Sequence, residues 1–146
     1  MKYTVITACG NKKNPVPLPA WKLYKSPRIK AVYNRKGDHD MYILSAEHGL
    51  IPAEKIIEPY DRIMDNERCN ELLPDVKKIV SQYDIVIFFK AGSRKLYEEC
   101  LSKACEMAGV KLISFGFGFM GGINDLPKYF SEWWVSKISS VIPIWS

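Results

Sequence analysis

Short apolar runs recur along the chain, each followed by turn residues and then by a stretch with helical spacing, about four times over. Tyr3 to Ala8 reads as the first strand, rich in β-branched residues. Cys9 to Pro27 reads as a long loop. It holds Pro15, Pro17, Pro19 and Pro27, and closely spaced prolines oppose both helix and central strand. Loops of this length in small domains are commonly functional. Ser26-Pro27 is a helix start, with Ser as N-cap and Pro at the first helical position. That helix should run to about Arg35 and stop at Gly37.

Met41 to Ser45 is the second predicted strand, and Ala46 to Met64 the loop after it. From Asn66 to Tyr83 the apolar positions Cys69, Leu72, Leu73, Val76, Ile79 and Val80 make one helical face. Pro74 should kink that helix or divide it. Asp84 to Phe89 is a nearly continuous apolar strand, as expected where both faces are buried. Ser93 can cap a helix reaching Ala108, with Gly109 as its C-terminal cap. Val110 to Phe115 is the fourth strand. A glycine-rich loop and a last helix, Leu126 to Ser139, complete the pattern.

The order βαβαβαβα predicts one α/β domain over residues 1–146. It should be a three-layer sandwich with a mostly parallel, roughly four-stranded sheet and helices on both faces. In such sheets ligands bind beyond the carboxyl ends of the strands. Attention therefore falls on four loops: Cys9 to Lys13, Ser45 to Asp61, Lys90 to Arg94, and Gly116 to Asn124.

Composition excludes global disorder, with 47% hydrophobic and 25% charged residues. No apolar run approaches the length of a membrane span, and no export signal is legible, so a cytoplasmic location without membrane contact is expected. Among the four cysteines, Cys9, Cys69, Cys100 and Cys105, no pair has C-x-x-C spacing. Reduced thiols and no metal site are the expectation. Charge changes the picture more. Residues 1–40 hold nine basic and two acidic side chains, a balance of +7, while residues 41–146 carry −2. All of the positive excess lies in the first quarter of the chain, on the first predicted loop and the helix after it. An anionic partner such as nucleic acid or a nucleotide fits that asymmetry, as does a solvated basic face.

In the first loop, Gly10 permits close approach of backbone to a ligand. Lys12 and Lys13 can meet a phosphate or a developing anion, with Arg28 behind them. Cys9 at the strand end can bind a ligand or act as a nucleophile, although packing is its plainer role. In the second loop, Ser45 follows a strand directly and His48 is a candidate for proton transfer. Ser45 and His48 lack the third partner of a triad. Tyr60 can stack or hydrogen-bond, and Asp61 can serve as carboxylate base or nucleophile. In the third loop, Gly92 and Ser93 can present backbone donors to an anion at a helix start, though Ser93 can simply cap. The fourth loop places Gly116, Phe117 and Gly118 in a G-x-G-x-x-G match after a strand. No acidic strand end follows at the dinucleotide spacing, so no cofactor is expected, and the glycines are read as points of close approach. Phe117 can stack on a base.

The block Ile43-Leu44-Ser45-Ala46-Glu47-His48-Gly49-Leu50-Ile51-Pro52, with Glu58-Pro59-Tyr60-Asp61-Arg62-Ile63-Met64 after it, resembles the peroxide stress protein YaaA family. The same blocks, with the Cys9 and Lys13 spacing, are similar to a domain of archaeosine synthase. The likeness covers about residues 4 to 64. His48 stands where YaaA proteins have Tyr, Asp61 stands where they have Arg, and this chain lacks the length for YaaA's DNA-contacting helical extension. What the resemblance implies is work on nucleic acid or nucleobases: DNA binding under peroxide stress, with protection or repair, or modification of a deazaguanine base in tRNA.

Two functional expectations follow. The first is binding of a nucleotide or nucleic acid in a basic cleft, with Lys12, Lys13 and Arg28 on phosphate. The second is an enzyme that modifies or cleaves a nucleobase or nucleoside, with Asp61, Lys13 and His48 as its chemical groups.

Overall fold

The structure, a computed structural model, describes residues 1–116 and 122–131. Five strands form the main sheet: β1 (Tyr3–Ala8), β3 (Asp40–Ser45), β4 (Gly49–Pro52), β6 (Ile85–Phe89) and β7 (Lys111–Phe115), in the order β4-β3-β1-β6-β7. β1 lies parallel between β3 and β6, and β7 continues the parallel set beyond β6. The register pairs Ala8 with Leu44 on one side and Thr7 with Phe89 on the other. Every residue of β1 and β6 is buried, as a doubly covered parallel sheet requires.

Helix α2 (Pro27–Arg35) covers one face, joined by a 3₁₀ segment at Ile123–Phe130. Helices α3 (Asn66–Val80) and α4 (Lys95–Ala108) cover the other. The α/β sandwich is therefore as the alternation predicts. Val5, Ile43, Ile85 and Ile113 belong to the core on the α2 side, while Ile6, Leu44, Val86 and Leu112 belong to the core on the α3 and α4 side. That split is the strand period of two, read out on two faces.

Several expectations need correction. The sheet has a fifth strand, because the loop after β3 doubles back as antiparallel β4. Ser45 Oγ accepts the amides of Glu47 and His48 at 3.2 and 3.0 Å, and Gly49 takes a left-handed φ of 75°, so the chain reverses within three residues. The proline-rich loop also holds structure. It carries β2 (Leu18–Pro19), paired with β5 (Ile56–Ile57), and the one-turn α1 (Ala20–Leu23). Helix α3 runs unbroken through Pro74, whose exposed position removes a backbone donor without disturbing the face of Cys69, Leu72, Val76 and Val80. The expected last helix is a 3₁₀ segment as far as Phe130, and residues 132–146 lie outside the described set.

Cys69 and Cys100 are joined in a disulfide between α3 and α4, against the expectation of reduced thiols. The packing of the two helices makes that pair, which stands 31 residues apart in sequence, so no local spacing signals it. No helix among the described residues is long and apolar enough to cross a membrane.

From β1 the chain turns through α2 toward β3; from β6 it turns through α4 the opposite way, toward β7. The segments leaving β1 and β6 thus diverge, and in sheets of this kind the crevice between them at the carboxyl edge is where ligands bind.

Candidate functional site

The crevice is built around the end of β1. Thr7 is fully buried, and its hydroxyl donates to the Phe89 carbonyl at 3.1 Å, tying β1 to β6. The same oxygen accepts from the Arg28 guanidinium at 2.6 Å. Arg28 is the second residue of α2. Ser26 fixes it there by accepting the Ile29 amide at 3.2 Å, and Pro27 presets the first turn. The guanidinium also reaches toward the Cys9 carbonyl at 3.5 Å. It packs against the backbone at Gly92, where an added Cβ would stand 3.8 Å from Nε. No carboxylate among the described residues pairs with Arg28. Burial pulls its pKa below the ordinary value, and the neighbouring Cys9 sulfur and Tyr97 hydroxyl push back. A half-buried cation is commonly matched by an anionic partner.

Cys9 follows Ala8 directly and is a half-buried free thiol. Its sulfur lies 3.2 Å from the hydroxyl of Tyr97, in the first turn of α4. Burial, and then the Cys9 sulfur, raises the Tyr97 pKa. Arg28 therefore arrives from the α2 face and Tyr97 from the α4 face, and both meet β1 at Cys9. Beyond Cys9, the backbone amides of Gly10, Asn11 and Lys12 donate to no acceptor among the described residues. The chain then re-engages, with Asn14 N bonding Leu23 O at 2.7 Å and Lys25 N bonding Lys12 O at 2.8 Å.

A chain of hydroxyls borders this site on the β3 side. Ser45 accepts the two turn amides and donates to Tyr60 at 2.8 Å, and Tyr60 meets the hydroxyl of fully buried Tyr24 at 2.6 Å. Burial raises the pKa of both tyrosines, and the Cys9 sulfur raises them further. Lys13 places its ammonium 4.4 Å from the Tyr60 ring centre and donates to the Asn11 carbonyl at 3.1 Å. His48 is exposed and meets Tyr60 edge-on at 5.2 Å. Arg68 of α3 holds the turn from below, donating to the carbonyls of Ala46 and Glu47 at 2.7 Å each.

Cys9, Lys13, Arg28, Ser45, Tyr60 and Gly92 thus assemble at one edge of the sheet. Lys12 is exposed there on the first loop. Asp61 is exposed and makes no ion pair or hydrogen bond among the described residues. Ser93 is not the cap of α4. Arg94 takes that position, and the Ser93 hydroxyl turns back to donate to the Lys90 carbonyl at 2.8 Å. Ser93 lines an open depression of about 310 Å³ with Lys90, Lys95 and Glu98, where Lys90 pairs with Glu98 at 3.6 Å. Gly116 has a φ of 130°, and an added Cβ would stand 2.8 Å from the Ala91 amide nitrogen. It serves close approach of two loops. Phe117 and Gly118 lie outside the described residues. No group of three or more metal-ligating side chains occurs among the described residues.

Sequence reasoning missed Thr7, Tyr24 and Tyr97. Thr7 and Tyr24 read as strand and loop residues. Tyr97 reaches a cysteine 88 positions away, a relation no spacing rule carries.

A search of curated proteins finds no match. A family model does match, over residues 4–113, which takes in Cys9, Arg28, Tyr60, Tyr97 and all seven strands as far as Ile113. The chain belongs to the family of unknown function DUF6884.

Proposed function

We propose that this protein binds the phosphate of a nucleotide or of nucleic acid in the crevice between the ends of β1 and β6. The observation that carries the reading is Arg28: a half-buried guanidinium, fixed by Thr7, with no carboxylate partner among the described residues. An anion there completes a charge pair that the chain itself leaves open. The amides of Gly10, Asn11 and Lys12 offer further donors, and the ammoniums of Lys12 and Lys13 add field at the mouth. Of the nine basic side chains in residues 1–40, Lys12, Lys13 and Arg28 belong to this edge, while Lys2 precedes β1 and Arg35 and Lys36 lie at the far end of α2.

The resemblance of residues 43–52 and 58–64 to YaaA proteins and archaeosine synthase favours a nucleotide or nucleic acid as the bearer of that phosphate. Work on DNA protection, repair or base modification follows from the same resemblance. The aromatic wall of Tyr60 and His48 gives a base a surface to meet.

The test titrates adenosine monophosphate and a short single-stranded oligonucleotide into the protein at several salt concentrations. Binding that weakens steeply with salt, and that inorganic phosphate competes away, supports the reading. Absence of binding, or binding indifferent to salt and phosphate, removes it.

A further inference from the structure

Cys9 stands beside the anion-seeking groups and is the one thiol placed for chemistry. Cys69 and Cys100 are oxidised to a disulfide, and Cys105 is fully buried with its thiol pushed up to about 12. Cys9 is half exposed, ends a central parallel strand, and lies at the switch point of the sheet. Its sulfur has the Tyr97 hydroxyl at 3.2 Å, and its own carbonyl faces Arg28. The three following amides have no acceptor in the described chain. A nucleophile, a fixed guanidinium and a row of free amides are the parts that transfer of a phosphoryl group through an enzyme-bound intermediate requires.

We infer that Cys9 is a phosphoryl acceptor and that the crevice hydrolyses phosphate monoesters whose leaving group is an acidic hydroxyl, such as an aryl phosphate. The inference rests on the reading that phosphate occupies this crevice. In the first step the thiolate attacks phosphorus. The S–P bond forms as the bond to the ester oxygen breaks, and that oxygen leaves with the bonding pair, taking a proton from water if it needs one. Arg28 and the loop amides hold the non-bridging oxygens, whose charge shifts during transfer. The Tyr97 hydroxyl shares a hydrogen bond with the sulfur at 3.2 Å. In the second step water attacks phosphorus, the P–S bond breaks, the pair returns to sulfur as thiolate, and inorganic phosphate leaves after water's proton passes to solvent. No oxidant, reductant or further co-reactant enters.

The test combines turnover of para-nitrophenyl phosphate with calorimetric binding of inorganic phosphate, in the wild-type chain and in Cys9→Ala. Acid quench of the wild-type reaction, followed by peptide mass analysis, asks whether the Cys9 peptide carries a phosphoryl group and needs no variant. The expected result is turnover in the wild type, a loss of ~100-fold or more in Cys9→Ala with phosphate binding kept, and the phosphorylated Cys9 peptide. Phosphate binding without turnover, or turnover that survives Cys9→Ala, overturns the inference and leaves the binding reading standing. Absence of phosphate binding overturns both.

Discussion

Arg28 donates to the Thr7 hydroxyl at 2.6 Å, and through that hydroxyl to the β1–β6 junction, since Thr7 in turn donates to Phe89 at 3.1 Å. The guanidinium is anchored at one end and has no carboxylate at the other among the described residues. A half-buried cation without a counter-charge is partly desolvated and adds little or nothing to stability. Arg28→Met keeps the hydrocarbon stem and removes that charge, while Thr7 keeps its bond to Phe89. The melting temperature of Arg28→Met should therefore match or exceed that of the wild type. A loss of more than ~2 kcal/mol in urea unfolding would assign Arg28 a structural role instead.

Ser45 serves three partners with one hydroxyl: the amides of Glu47 and His48 and the phenol of Tyr60. It is fully buried. Ser45→Ala leaves two amides without their acceptor and Tyr60 without its donor, and should lower stability by ~1–3 kcal/mol. Tyr60→Phe leaves the Tyr24 and Ser45 hydroxyls without their shared partner but keeps both turn amides bonded to Ser45, and should cost less. Urea denaturation of both variants checks the order. The reverse order contradicts the turn's dependence on Ser45.

Reading the sequence placed the parallel strands well, because Tyr3–Ala8 and Ile85–Phe89 are short, apolar and β-branched in the way doubly buried strands must be. The cap at Ser26-Pro27 was equally plain and fixed where Arg28 begins α2. What escaped was made by tertiary contact. The reversal at Ser45–Gly49 depends on a hydroxyl folding back on two amides, so β4 read as loop. Helix α3 tolerates Pro74 because its buried face supplies the binding energy, which propensity does not register. Arg28 was legible as a cation near a loop. That it would face Cys9 and Gly92 without a carboxylate was not, because the helix and both loops must first be in place.

The Cys69–Cys100 disulfide ties α3 to α4 across 31 residues. Closing a loop of that length typically stabilises by about 2–4 kcal/mol. Reduction with a dithiol under mild denaturation, followed by refolding, should lower the melting temperature by on the order of 10 °C. Arg68 precedes Cys69 and holds the Ser45 turn, so the reduced protein should show that loss together with faster exchange of the Glu47 and His48 amides. An unchanged melting curve contradicts a contribution from the bond.

Tyr24 and Tyr60 have pKa values raised by burial above the ordinary tyrosine value of about 10. The folded state therefore holds these phenol protons more tightly than the unfolded chain. Their contribution is full below about pH 10, and it is lost as pH rises through the raised folded values. Stability should fall as pH climbs above about 10, with these tyrosines ionising only as the fold opens. Parallel measurement of tyrosinate absorbance and far-ultraviolet circular dichroism tests this. Smooth ionisation of all the tyrosines with the fold intact contradicts the buried hydroxyl chain.

The central claim is that the crevice at the end of β1 takes a phosphate through Arg28. Calorimetric titration of inorganic phosphate into the wild-type protein and into Arg28→Met tests it most directly. Saturable binding by the wild type, weakened at least ~10-fold in a variant that melts no lower, is the predicted result. Equal binding by the two proteins, or none by the wild type, would contradict it.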